Sequence, residues 1–199
     1  DVEIAVLETG LGGRLDATNV CRPVVTVITS ISLDHMKLLG PTVGRIAAEK
    51  AGIIKRGCPV ISGAVQPAAR QVIAATARRR RARLLQLGRD FEAASLPAVG
   101  DPTGTGRLVV TPPATYHPPE LIQADLGMPG RHQADNAALA VVAALELDRR
   151  GFAVPAAAIT RGLAATSLPA RIETISRAPL VIVDAAHNEA SMASLIETL

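Results

Sequence analysis

The sequence predicts an α/β fold: a mainly parallel sheet flanked by helices, with a small antiparallel sheet attached. Three observations predict it. Residues 24–31 (Val-Val-Thr-Val-Ile-Thr-Ser-Ile) and 180–183 (Leu-Val-Ile-Val) are apolar or β-branched almost throughout, the pattern of strands buried on both faces. Helical patterns alternate with these runs, which favours a parallel sheet. Between residues 84 and 133 Pro, Gly and Thr become dense, and short apolar segments stand between turn signals, as in antiparallel hairpins.

In chain order, residues 2–8 (Val-Glu-Ile-Ala-Val-Leu-Glu) are expected to form a first short strand ending at Glu8. A glycine-rich loop follows from Thr9 to Asn19, then the strand at 24–31. A helix is expected from Thr42 to Lys55, with Val43, Ile46, Ala47, Ile53 and Ile54 as its apolar stripe and Lys55-Arg56-Gly57 as its stop. Pro59 to Ser62 reads as the next strand. Pro67 opens an Ala-rich helix, with Val72, Ile73 and Ala77 inward, that runs into Arg78-Arg79-Arg80-Arg81-Ala82-Arg83. Residues 107–111 and 121–126 are the expected antiparallel strands. Ala134 to Arg150 is the clearest helix, since Leu139, Val142, Ala143 and Leu147 recur at helical spacing. A short helix from Pro155 to Gly162, a boundary at Leu168-Pro169, a buried strand at 180–183 and a helix from Asn188 complete the reading.

Composition excludes several function classes. Hydrophobic residues are 48% and charged residues 20% of 199, so a sizeable core is expected and disorder is not. No apolar run reaches the ~18–20 residues of a membrane span, and Asp1-Val2-Glu3 is not a signal-peptide start. The absence of an initiator Met suggests an internal piece of a longer protein. Aromatic residues are 2%, too few for base-stacking platforms on single-stranded nucleic acid. The net charge is +3, and without the five arginines of 78–83 it would be −2. That run is read as a solvated helix end whose cations complement the dipole, and no nucleic-acid partner is expected. Cys21 and Cys58 form no CxxC motif. They read as reduced thiols of a cytoplasmic protein, with too few soft ligands for zinc.

In an open α/β sheet, ligands bind beyond the carboxyl ends of the strands. Glu8, Asp34, His35, Asp184, His187 and Asn188 fall there. An acid directly after a buried run needs a partner, and a metal ion is one. Glu8 could instead pair with Arg14, and His35 could be an ordinary loop histidine. The glycines of Gly10-Leu-Gly-Gly-Arg14 would let backbone approach a ligand closely.

Longer strings carry more. Glu8-Thr-Gly-Leu-Gly-Gly-Arg-Leu-Asp-Ala-Thr-Asn19 resembles the signature of the folylpolyglutamate synthase/dihydrofolate synthase family of the Mur ligase superfamily. Ile28-Thr-Ser-Ile-Ser-Leu-Asp-His35, Ile46-Ala-Ala-Glu-Lys-Ala-Gly-Ile53, Gly130-Arg-His-Gln-Ala-Asp-Asn-Ala-Ala138, Pro169-Ala-Arg-Ile-Glu173 and Asp184-Ala-Ala-His-Asn188 resemble further family motifs, in the family's order.

The resemblance implies a Rossmann-like ATPase domain over residues 1–167 and the start of a C-terminal α/β ligase domain over 168–199. It implies ATP-dependent addition of L-glutamate to dihydropteroate, a folate or both, through an acyl phosphate, by an enzyme that is monomeric when full length. Glu8 and His35 match Mg²⁺ ligands, and Lys50 a lysine carbamylated in the family. A carbamate would offer Mg²⁺ the oxygens it prefers, as an ammonium cannot. Asn136 matches a residue near the adenine of ATP, Arg171 an arginine at the terminal phosphates, Asp184 a nucleotide-contacting acid and His187 a residue of the catalytic cleft.

Plainer alternatives are a solvated Lys50, an Asn136 that caps its helix and an Arg171 paired with Glu173. The family motif commonly has Gly where Ala185 stands and Pro where Glu189 stands. No G-x-x-x-x-G-K-[ST] phosphate cradle occurs in the chain, so these residues alone are expected to lack ligase activity. The competing functions are another Mur-type ligase, acting on a peptidoglycan precursor or cyanophycin, and a catalytically dead nucleotide-binding or interaction module.

Overall fold

Aliphatic runs without aromatic bulk form the first core of the computed structural model, which describes residues 2–96, 98, 103–116 and 120–199. The chain divides into two compact units, Asp1–Leu84 and Leu85–Leu199. In the first, β1 (Thr26–Ile28) pairs in parallel with β2 (Val60–Ser62) in the register Thr26↔Val60, Val27↔Ile61, Ile28↔Ser62. With β3 (Leu84–Gln86) they form a sheet of order β1-β2-β3. Helices α1 (Met36–Leu39), α2 (Val43–Ala51) and α3 (Pro67–Arg79) complete the unit. Ile28, Ile31, Ile46, Ala47, Ile54, Val60 and Ile73 close the core.

Three expectations need correction here. Residues 2–8 do not form a strand: Val2 is 82% and Val6 94% exposed, and the segment joins no ladder among the described residues. A short apolar run has strand propensity, but without a paired neighbour its backbone groups stay with water. Glu8 therefore follows an unpaired segment. Next, α2 stops at Ala51 rather than running to Lys55, because Gly52 caps it and the glycine-rich loop takes one of its last carbonyls. Gly57, at φ +70°, instead turns the chain toward β2. Finally, Leu84 to Gln86 belong to the first sheet and not to the antiparallel one.

The second unit holds an antiparallel sheet of β4 (Glu92–Leu96), β5 (Arg107–Thr111) and β6 (Ile122–Asp125), in that order. Leu108, Val110, Ile122 and Ala124 alternate inward, as a half-buried sheet requires. Helix α4 (Arg131–Asp148) packs on β4 and β5. It starts three residues before the expected Ala134, because Arg131-His132-Gln133 is too polar to betray the first turn. Tyr116 donates its phenol hydrogen to Glu146 of α4, which is 4% exposed, and the Arg149 guanidinium lies 4.8 Å above the Tyr116 ring. Then come α5 (Ala156–Ala165), the antiparallel hairpin β7 (Glu173–Arg177) and β8 (Leu180–Val183), and α6 (Glu189–Thr198). β8 is a strand as expected but not a buried one, since Leu180, Val181 and Val183 are 41–53% exposed. Among the described residues no helix is long and apolar enough to cross a membrane.

Candidate functional site

The glycine-rich loop does not hang free. Asp16 organises its interior: its carboxylate accepts from Gly10 N (2.8 Å), Thr18 N (2.9 Å) and Thr18 Oγ1 (2.6 Å). The Thr18 hydroxyl and N–H, with the Gly10 and Leu11 N–H groups, hold the Asp16 pKa down to about 2 against an ordinary 3.8. A carboxyl with a lowered pKa stabilises the fold above its unfolded value, and that contribution disappears as pH falls through the folded one. Acidification from pH 4 to 2 is therefore expected to release the loop, seen as loss of the shifted Gly10 and Thr18 amide resonances. Asp16→Asn is expected to move that loss out of this window.

The loop is strapped to the end of α2. Arg14 N donates to Glu49 O at 2.9 Å, and the Arg14 guanidinium pairs with the Glu49 carboxylate at 3.1 Å. Asn19 Nδ2 donates to Arg14 O at 2.9 Å and to Gly52 O at 3.3 Å, and Lys55 Nζ donates to Asn19 O at 2.6 Å. Gly12 and Gly13 take φ +67° and +151°, and a Cβ on Gly13 would lie 2.8 Å from Ile53 Cγ2 and 3.2 Å from Lys50 O. The loop's glycines thus press against this helix. The alternative of a Glu8–Arg14 pair is replaced by Arg14–Glu49.

Of the three candidate metal residues, Glu8 is exposed and immediately precedes this loop. His35 is also exposed; it precedes α1 in the left-handed conformation (φ 48°), its N–H on Asp34 Oδ1 at 2.7 Å. Lys50 is half-buried in the last turn of α2. Their three segments meet around one glycine: a Cβ on Gly12 would lie 3.0 Å from Leu39 Cδ2 of α1 and 3.6 Å from Glu49 Cβ of α2. Among the described residues no group of three or more His, Cys, Asp or Glu is suited to a metal.

In the second unit the Asp184 carboxylate is held by main chain. Oδ2 accepts from Ile172 N at 2.9 Å and Oδ1 from Ala186 N at 2.7 Å, while Ala185 N donates to Ala170 O at 2.9 Å. Asp184 therefore fixes the turn that carries Arg171, in which Ala170 and Ile172 both sit at positive φ (55° and 53°). Glu173 accepts from Ala170 N at 2.8 Å. Arg171 is exposed. Ala185 is not among the positive-φ residues, so alanine suits the place where the family motif has glycine. His187 is exposed, and its Nδ1 is 2.9 Å from Ala185 O. A carbonyl only accepts, so Nδ1 carries the proton of the neutral ring and Nε2 is left as the acceptor. Asn136 is exposed on α4 and does not cap it; Gly130 holds that place.

Sequence reasoning passed over His132 and Gln133. Burial pushes the His132 pKa down, and Asp184 and Arg171 act on it from opposite directions. The start of α4 thus feels the charges of the Arg171 turn. Burial raises the Asp135 pKa in the same place. A polar His-Gln pair at the start of an otherwise apolar helix was the available signal.

The Mur ligase middle-domain model matches residues 1–144. The chain belongs to the Mur ligase family. Relatives that it matches include folylpolyglutamate and dihydrofolate synthases. Lacticaseibacillus casei folylpolyglutamate synthase is 40% identical over 201 residues, covering 100% of this chain and 45% of that protein. A Bacillus subtilis dihydrofolate synthase/folylpolyglutamate synthase is 41% identical over 202 residues, again with 100% and 45% covered. This Mur ligase chain thus spans about 45% of the length of these relatives. Its fold matches the apo form of the L. casei synthase with a TM-score of 0.87 at 36% identity, over 99% of this chain and 47% of that one. It matches the synthase–AMPPCP–folate complex equally, at 0.87 and 36% over 96% and 45%. The expected α/β fold, a mainly parallel sheet flanked by helices with a small antiparallel sheet, agrees with these neighbours, and the antiparallel sheet is a separate one.

Proposed function

We propose that this Mur ligase chain is the nucleotide-handling part of an ATP-dependent carboxylate–amine ligase that adds L-glutamate to dihydropteroate, folates or both. Relatedness over the whole chain to synthases of this kind is the observation that carries the reading, and the strapped loop beside α2 supports it. Residues 1–167 would serve ATP binding and 168–199 open the second ligase domain of a monomeric, cytoplasmic enzyme.

In the reaction, a carboxylate oxygen attacks the γ-phosphorus of ATP and ADP leaves. The glutamate amine then attacks the acyl phosphate, and phosphate leaves as the amide forms and a proton is lost. Asn136 would hold the adenine and Arg171 the terminal phosphates, where a fixed cation stabilises developing charge. Asp184 would contact the nucleotide while keeping the Arg171 turn in place. His187 would line the cleft with its Nε2 acceptor. With Lys50 as an ammonium, the set Glu8, His35 and Lys50 does not fit Mg²⁺; with Lys50 carbamylated, two of the three offer oxygen and the set fits. A bound Mg²⁺ would neutralise phosphate charge.

The test uses the longest natural form of the protein with Mg²⁺, ATP, L-glutamate and either dihydropteroate or a folate. Stoichiometric ADP and glutamylated product are expected, and Arg171→Ala should cut kcat/KM by about 10²–10³-fold. No ATP-dependent product with either acceptor would overturn the proposal. Intact-mass measurement under bicarbonate is expected to find one added carboxyl group that Lys50→Arg removes.

A further inference from the structure

We infer that Gln133 sets the base selectivity of the nucleotide site, an inference that rests on the nucleotide-binding reading above. Helices α4 and α5 and the connection from β6 to α4 enclose a slot of about 180 Å³. That is slightly more than a cavity of about 150 Å³ that takes a benzene ring, the scale of one flat ring system, and well below a drug-sized pocket. Its walls are apolar: Leu126, Met128, Ala137 and Leu163. One end is closed by backbone. Gly127 N donates to Leu163 O at 3.0 Å, and a Cβ on Gly127 would lie 2.2 Å from Thr166 O, so the connection abuts the end of α5.

The polar side chains of the slot include Gln133 and Asn136, three residues apart and hence neighbours on one helix face. Gln133 is 8% exposed, whereas Asn136 is exposed. Asn136 Nδ2 donates to Gln133 Oε1 at 3.5 Å. The two ends of an amide lie on opposite sides of its carbon. Holding the NH₂ on Gln133 therefore presents Oδ1, an acceptor only, to whatever enters. A 6-aminopurine brings an N–H to that oxygen. A 6-oxopurine brings a second acceptor, and one of the two is left unpaired away from water. Without Gln133 as acceptor, Asn136 could turn its NH₂ to the ring and accept either base. Gln133 acts through Asn136 and is a positioning residue.

Calorimetric binding of ATP and ITP to the longest natural form of the protein tests this without requiring ligation. The wild type is expected to bind ATP about tenfold tighter than ITP or better, the size of one unpaired polar group. Gln133→Met, close in shape but without the acceptor, should bring the ratio near one. Gln133→Glu, which keeps acceptor oxygens, should preserve it. An unchanged ratio in Gln133→Met, a collapse in Gln133→Glu, or a wild type with no preference would each overturn the inference. Should Gln133→Met fail to fold, Asn136→Leu on the exposed helix face must abolish the preference, and a preference retained there is fatal. Selective ATP binding without glutamylated product would overturn the proposed reaction alone. Ligation with equal affinity for ATP and ITP would overturn this inference alone.

Discussion

Gly52→Ala is expected to lower stability by about 3 kcal/mol and, in the longest natural form of the protein, the proposed ligase activity by more than about tenfold, because it pushes the glycine-rich loop off α2. Gly52 has an ordinary helical backbone (φ −61°), so the penalty is steric and not conformational. A Cβ there would lie 2.4 Å from Arg14 Cβ and 2.6 Å from Arg14 Cα. Rotating a side chain cannot relieve a clash with a Cα; the loop itself must move. The movement breaks Arg14 N–H to Glu49 O and Asn19 Nδ2 to Gly52 O, and with them the Arg14–Glu49 pair. The pair is exposed and adds little to stability, so most of the loss is packing and main-chain hydrogen bonds. On the proposed function, activity should fall further than stability explains, since the loop that follows Glu8 is displaced from the turn of α2 that carries Lys50. Gly44→Ala in the same helix is the control. Nothing lies within 4 Å of its Cβ position, so it should stabilise by roughly 0.5–1 kcal/mol. Denaturant titration of the two variants checks both signs.

Asp184→Ala is expected to cost about 2–4 kcal/mol and, in the longest natural form of the protein, to reduce the proposed ATP-dependent turnover about 10²-fold or more. Two buried or half-buried N–H groups, those of Ile172 and Ala186, lose their acceptor, each at roughly 1–3 kcal/mol before solvent replaces part of it. The turn then has less to hold Ala170 and the buried, β-branched Ile172 at positive φ, a conformation of order 1–2 kcal/mol above the usual one. Arg171, between them, would lose its fixed position. Asp184→Asn keeps one carbonyl acceptor and should recover about half of the stability but little of the turnover. Equal losses in kcat/KM for Asp184→Ala and Arg171→Ala, with no further loss on combining them, would mark the two as one unit. Full additivity would count against it.

The strands at 26–28 and 60–62 were legible because β-branched residues without polar alternation have few other homes. α2 and α4 were legible from helical spacing. What the spacing could not give was partners. Residues 2–8 have the composition of a strand, but composition does not supply a neighbouring ladder. Leu180 to Val183 read as buried because apolar runs usually are, yet the hairpin leaves them partly open. The glycines at 12 and 13 announced a close approach, expected to be to a ligand; the surface they approach is the end of α2. Glu8 and His35 stood out by their place after expected strands, and Lys50 only by motif resemblance. Gln133 and His132 did not stand out, because their significance lies in burial and charge neighbours that a linear string does not display.

The chain has one tyrosine and no tryptophan, and both phenylalanines, Phe91 and Phe152, fall after residue 84. Excited above the phenylalanine band, intrinsic emission of these 199 residues therefore comes from Tyr116, a ring clasped between an acid and a guanidinium. Quenching or recovery of that signal follows the second unit only. The aromatic-free first unit can melt without a fluorescence change, so a single-wavelength emission trace of these 199 residues would report a transition for one unit while the other had already gone or still stood.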